Sequence, residues 1–287
     1  MKKLFLLLAM VCCLQANAAK RGDINGDNNV DVSDINIVIN EILGKGGTYN
    51  ADVNGDGTTD VSDINIVINI ILGKDEPEDN HEYVDLGLPG GVLWATCNVG
   101  GSKPEDYGLY FAWGETTGYA KGESHIFDWA NYDLCNGSSS TMTKYSTSTS
   151  YWDPALGTSP DNKTVLESED DAATANWGSG WRMPTLQEIK DLYNSAYTTT
   201  EWVTVNGVKG RKITSKSNGN SIFLPAAGYR YDTALLYEGF YGDYWSRELD
   251  ASDSYNAYNL YFYPGGVDTN YYTRSDGLCV RAVRVKP

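Results

Sequence analysis

Two stretches, DINGDNNVDVSD at 23–34 and DVNGDGTTDVSD at 52–63, each crowd four aspartates into twelve residues. Oxygen-bearing side chains fall at positions 1, 3, 5, 9 and 12, position 7 can offer its backbone carbonyl, and position 6 suits a sharp turn. In the first stretch these are Asp23, Asn25, Asp27, Asn29, Asp31 and Asp34; in the second, Asp52, Asn54, Asp56, Thr58, Asp60 and Asp63. Carboxylates held so close repel one another until a divalent cation sits among them. An all-oxygen donor set without His or Cys favours Ca²⁺ over zinc, and the high ligand number favours it over Mg²⁺, so two calcium ions are expected. Gly57 fills the turn position of the second loop and Asn28 that of the first, where Asn tolerates a left-handed backbone better than other non-glycine residues.

Each loop runs into INIVIN, and 22–44 aligns with 51–73 without a gap. The spacing predicts one exit helix per loop, with apolar stripes Ile35, Val38, Ile39, Ile42 and Ile64, Val67, Ile68, Ile71 that pack on each other. Ile37 and Ile66 lie outside the stripes. Position 12 is Asp rather than the longer Glu of a helix-loop-helix EF-hand, and no helical pattern precedes either loop. Each repeat is therefore an EF-hand-like loop plus one helix.

At these residues the chain resembles a type I dockerin, the duplicated calcium module that docks proteins onto a cohesin partner. The resemblance implies a cohesin-like partner. It would be met by Ser33, Asn36 and Asn40 in one copy and Ser62, Asn65 and Asn69 in the other, whose near identity allows two binding orientations. The module precedes the rest of the chain rather than trailing it.

The surrounding sequence sets the context. Residues 1–19 read as a signal peptide: two lysines, an apolar run to about Leu14, and Ala16-Asn17-Ala18 as a cleavage site. Export to the cell surface, the extracellular space or the periplasm follows. Cys12 and Cys13 raise lipidation, against which Met10 and Val11 stand in place of the small residues such a site uses. No stretch approaches the roughly 20 apolar residues of a membrane helix. A net charge of -16 argues against nucleic acid and anionic membranes as partners. Residues 74–81 form an acidic linker, and 82–287 a second domain richer in Gly, Tyr and Trp.

In that domain Thr185 and Glu188 fit a capping box opening a helix with Ile189, Leu192 and Tyr193 on one face. A second helix is expected within 167–177. Strands are expected at 108–114, 221–228 and 257–263, while the Ser/Thr tract 136–150 reads as an exposed mobile loop. The motifs EYVDLGLPGGVLWATCNVG, EDYGLYFAWGET, DDAATANWGSGWRMPTLQEI, NSIFLPAAGYR, GDYWSRE and GLCVRAVR resemble, in this order, the Fibrobacter succinogenes major paralogous domain. That resemblance implies a C-type-lectin-like fold, with chain ends paired as strands, a helix and a loop-rich second sheet. The whole chain is thus expected to be α+β: a small all-α duplicated calcium-loop module, then a larger loop-rich α+β lectin-like domain.

For the second domain the residues point to binding rather than catalysis. Trp94, Trp113, Trp177, Trp181, Trp245, Tyr229, Tyr231, Tyr241 and Tyr244 could stack on sugar rings, although core positions are the better expectation for each. The Glu-Pro-Asn and Trp-Asn-Asp signatures of calcium-dependent lectins are absent. His81 in the linker and His125 in a polar loop form no Ser-His-Asp or Cys-His set, and no catalytic residue is assigned. Glu115, Glu188, Asp243 and Glu248 are the acids available for glycoside hydrolysis. Cys97, Cys135 and Cys279 allow three pairings, with Cys97–Cys279 favoured among them, or three free thiols. The expectation is an exported, non-catalytic calcium-binding protein linked to polysaccharide use, its second domain meeting a glycan or surface protein. The alternatives are a dockerin-borne glycoside hydrolase and a structural surface protein.

Overall fold

A computed structural model describes residues 20–47, 49–53, 57–73 and 81–286. The expected signal peptide, nearly all of the acidic linker, and Asn54 and Asp56 of the second loop lie outside them. The chain divides into two compact units, Met1–Pro77 and Glu78–Pro287.

In the first unit the repeats give α1 (Val32–Ile42) and α2 (Val61–Ile71). Asp31 and Asp60 are the N-caps, and Asp34 and Asp63 close a capping box by accepting from the cap's own amide. Val38, Ala51 and Val67 are buried, with Ile24, Val30, Ile35, Val53 and Ile64 packed around them. The expected stripes are only partly covered. Ile39, Ile42 and Ile71 remain 37–39 % exposed, because two helices of three turns meet along one narrow seam rather than a full face.

The second unit is sheet-rich. Strands β1 (Tyr83–Asp85) and β14 (Val283–Val285) flank β2 (Val92–Ala95), so both ends of the unit share one sheet. A six-stranded sheet runs β12 (Gly266–Thr273), β11 (Asn256–Tyr263), β10 (Gly242–Leu249), β13 (Leu278–Cys279), β3 (Leu109–Phe111), β4 (Tyr119–Ala120). A meander β5 (Thr198–Val205), β6 (Val208–Ser215), β7 (Ser221–Pro225) and a hairpin β8 (Tyr229–Tyr231), β9 (Ala234–Leu236) complete it. Asn206 and Gly207, both at positive φ, make the two-residue turn of the β5–β6 hairpin.

Alternation along the six-stranded sheet builds two cores. Tyr110, Tyr244, Leu260, Phe262 and Cys279 face one, joined by Ile189 and Leu192 of α4 (Leu186–Tyr193), which carries the expected Thr185–Glu188 capping box. Phe111, Trp113, Trp245, Ala257 and Leu278 face the other, joined by Trp177 and Trp181. The expected helix at 167–177 is a 3₁₀ turn (Ser168–Asp170) followed by α3 (Ala172–Trp177), since Asp171 leaves the helix to cap it through the amides of Ala173 and Thr174. No disulfide joins the three cysteines. Cys97 and Cys279 belong to opposite cores, and the thiols of Cys97, Cys135 and Cys279 donate to the carbonyls of Gly101, Trp129 and Tyr107.

The Ser/Thr tract is not the mobile loop its composition suggests. Met142, Tyr145 and Ser146 are fully buried, and buried Arg274 donates to the carbonyls of Lys144 and Tyr145. Among the described residues, no helix is long and apolar enough to cross a membrane.

Candidate metal centre

In the first loop the carboxylate of Asp23 gathers the turn: Oδ1 accepts from the amides of Gly26 (2.8 Å) and Asp27 (3.1 Å), and Oδ2 from Asn28 (2.9 Å). Asp34, fully buried, ties the start of the loop to the helix. Its Oδ1 accepts from Ile24 (2.8 Å) and Asn25 (3.2 Å), and its Oδ2 from Asp31 (3.0 Å). Asp27 Oδ1 takes the amide of Asn29 (2.8 Å) and Asn25 Oδ1 that of Asp27 (2.9 Å). Donors arranged in this way restrain like-charged oxygens around one small volume.

The second loop repeats this wherever it is described. Gly57 donates to Asp52 Oδ2 at 2.9 Å, Val53 to Asp63 Oδ1 at 2.8 Å and Asp60 to Asp63 Oδ2 at 2.9 Å. Asn28 (φ 70°) and Gly57 (φ 88°) both take the left-handed conformation at the turn. Ser33 and Ser62 donate amide and hydroxyl to the cap carboxylates of Asp31 and Asp60. Those bonds hold the Asp31 carboxyl below the usual carboxylate range. This serine role was not foreseen from the sequence, although the Asp-Val-Ser-Asp repeat contains its signal.

The donor chemistry fits calcium: carboxylate and amide oxygens and a position-7 carbonyl, with no nitrogen or sulfur. Asp23, Asn25, Asp27, Asp31 and Asp34, with Asn29 through its backbone, would hold one ion. Asp52, Thr58, Asp60 and Asp63 are the described members of the second set. Bound there, the ion neutralises the crowded carboxylates and fixes the loop against its helix. Ser33, Asn36 and Asn40, with Ser62, Asn65 and Asn69, are all exposed on the outer faces of the two helices and the loop ends that precede them.

Elsewhere, one trio of acids among the described residues brings carboxylate oxygens within 4.8 Å of one another: Glu167, Glu169 and Asp170. Lys144 already lies among them, 2.8 Å from Glu169 and 3.1 Å from Glu167, so an ammonium fills the cation's role.

The acids considered for hydrolysis each have local partners. Arg182 grips Glu188 in a bidentate pair (2.6 and 2.8 Å), and Glu248 accepts from the amide of Leu186. Glu115, nearly buried, accepts from Asp133, and burial pushes its carboxyl up to about 7. Asp243 is fully buried beside Asn259. His81 stacks on Trp177 (3.9 Å between centroids) and His125 on Tyr119 (3.7 Å). Of the aromatics, Trp94, Trp113, Trp177, Trp181, Trp245 and Tyr244 are buried, while Tyr231 is 57 % exposed.

Residues 21–72 match the family described as the dockerin type I domain. No curated protein and no solved structure matches the chain. Domains of this family are calcium-binding modules that dock on cohesins, and the match covers both loops and both helices of the first unit.

Proposed function

We propose that the protein is an exported, non-catalytic docking protein. Its first unit binds two calcium ions and seats on a cohesin-type partner through Ser33, Asn36 and Asn40 or, in the reversed orientation, Ser62, Asn65 and Asn69. The observation that carries this reading is the duplication itself. Two loops share one pattern of backbone-to-carboxylate bonds, and each feeds an identical exposed Ser/Asn face. The second unit is read as a lectin-like binding domain for a glycan or surface protein in polysaccharide use. Paired chain ends, a capped helix and a loop-rich sheet support the lectin-like reading. Exposed Tyr231, Tyr237, Phe240 and Tyr263 support sugar stacking in place of the buried tryptophans.

Calorimetric calcium titration of the full chain, compared with an Asp34→Ala, Asp63→Ala double variant, tests the loops. A difference of two ions bound, with helix lost from the far-ultraviolet spectrum of the variant, is expected. Equal stoichiometry in the two proteins would overturn the assignment. Capture of a cohesin domain by the full chain in calcium but not in chelator tests docking, and no capture in calcium sinks it. Absence of turnover on a broad glycan panel is expected; turnover lost on changing Glu115, Glu188, Asp243 or Glu248 would replace the non-catalytic reading with a hydrolase.

A further inference from the structure

Two arginines buried in the second unit, Arg274 and Arg281, each donate from all three guanidinium nitrogens. Arg230 on β8, only 4 % exposed, does not. Its Nη2 donates to the carbonyls of Glu123 (3.0 Å) and His125 (3.1 Å), while Nε and the buried Nη1 have no hydrogen-bond partner among the described residues. The Phe127 ring lies 4.9 Å from the guanidinium, but no ion pair among the described residues includes it. A buried cation with donors to spare and no counter-charge is costly for a fold to keep.

Arg230 lines a cavity of 440 Å³, within the roughly 300–1,000 Å³ of small-ligand sites. Loop 121–125 after β4 and the β8–β9 hairpin supply its walls. Backbone bonds fix both: Phe127 and Asp232 exchange amide-to-carbonyl bonds of 3.0 Å each, and Arg230 and Gly277 exchange bonds of 2.7 and 2.8 Å. Lys121 and Glu238 pair with each other on the wall, and Glu123 accepts from the Ala120 amide at 2.6 Å. The formal charges of the lining cancel, yet Lys121, Glu123 and Glu238 are exposed to screening by water and only Arg230 is buried. The charge left to a ligand is therefore positive.

We propose that this cavity binds an acidic sugar, a uronate residue of a glycan, with Arg230 as the counter-charge of its carboxylate; the inference rests on the reading of the second unit as a glycan-binding domain. Guanidinium N–H groups pair with a carboxylate by charge-assisted hydrogen bonds that a hydroxyl cannot match. The hydroxyls of Ser124 and Thr233 and the imidazole of His125 line the same cavity and suit the sugar's own hydroxyls. Burial and the Arg230 charge push the imidazole below its ordinary value, so it meets the ligand uncharged at neutral pH. Leu235 is the one apolar side chain in the lining, which gives an apolar peptide anchor little to hold.

The test is calorimetric titration of the full chain, in chelator so that no metal bridges the carboxylate, with uronate trisaccharides and with their methyl esters, which keep the sugar and remove the charge. Saturable binding of the acid, at least tenfold tighter than of the ester, is expected. Arg230→Met should erase that preference and leave the weak binding of the ester unchanged, with the melting temperature showing that the variant folds. Ser124→Trp, at an exposed loop position on the wall, should fill the cavity and abolish acid binding even where Arg230→Met fails to fold. Acid and ester bound equally, or acid binding untouched by Ser124→Trp, would overturn the site while leaving a glycan-binding domain. A parent that binds neutral glycans but no uronate does the same, and one that binds no glycan of either kind removes both readings.

Discussion

Glu115 shows how one residue couples the fold to pH. Its folded carboxyl, raised by burial from an ordinary 4.5 to about 7, binds a proton more tightly than in the unfolded chain. Between those values the native state holds more protons, so stability falls as pH rises from about 4.5 to 7 and levels off above. Glu115→Gln keeps an acceptor for the Asp133 amide and removes the charge. Urea unfolding should find the variant more stable than the parent by up to about 3 kcal/mol at pH 8 and nearly equal at pH 4.5. A parallel pH dependence in the two proteins would contradict this account. The site residues differ in how far the sequence discloses them. The loop aspartates declare themselves by spacing, because all the candidate ligands for one ion fall within twelve consecutive positions. Asp243 and Asn259, buried and bonded to each other, come from two strands, and nothing local marks them as a pair.

At the scale of elements, the helices with caps were legible and the tract 136–150 was not. Thr185 and Glu188 carry their signal within four residues, and α4 begins where they place it. The Ser/Thr tract instead owes its order to a residue far along the chain. Arg274 donates from Nη1 to the Tyr145 carbonyl (2.9 Å), from Nη2 to the Lys144 carbonyl (3.1 Å), and from Nε to the Tyr132 hydroxyl (3.0 Å). Its guanidinium also lies 5.0 Å from the centre of the Trp113 ring. Composition describes what a segment could do alone, and here a buried cation supplies what the segment lacks. Arg274→Met should cost roughly 3–5 kcal/mol in urea unfolding, since it strands several buried acceptors. It should also open 136–150 to limited proteolysis under native conditions. A variant as protease-resistant as the parent would show that Met142 and Tyr145 hold the tract unaided.

At the scale of the whole molecule, the two helices of the first unit could be read because its repeats state their pattern twice. In the second, the capped helix was legible from its residues and the pairing of the chain ends only through the family resemblance, because its sheets join distant segments. Strand β2 pairs with β1 only ten residues back in the chain at Val84↔Trp94, and with β14 near the end of the chain at Val283↔Trp94. Removing residues 283–287 would strip β14 from β2 and the backbone bridge from Arg182, so the truncated protein should lose cooperative unfolding of the second unit while α1 and α2 persist. Retained cooperativity would show that the terminal sheet is dispensable. That same sheet has a mechanical consequence. Both β1 and β14 run antiparallel to β2, hence parallel to each other, with the chain entering at Tyr83 and leaving past Val285 at the opposite end of the ladder. Tension applied between a tethered first unit and the end of the chain would pull these strands in opposite directions along their length. Their hydrogen bonds would then bear the load together, as a clamp in shear, rather than parting one after another like a zip.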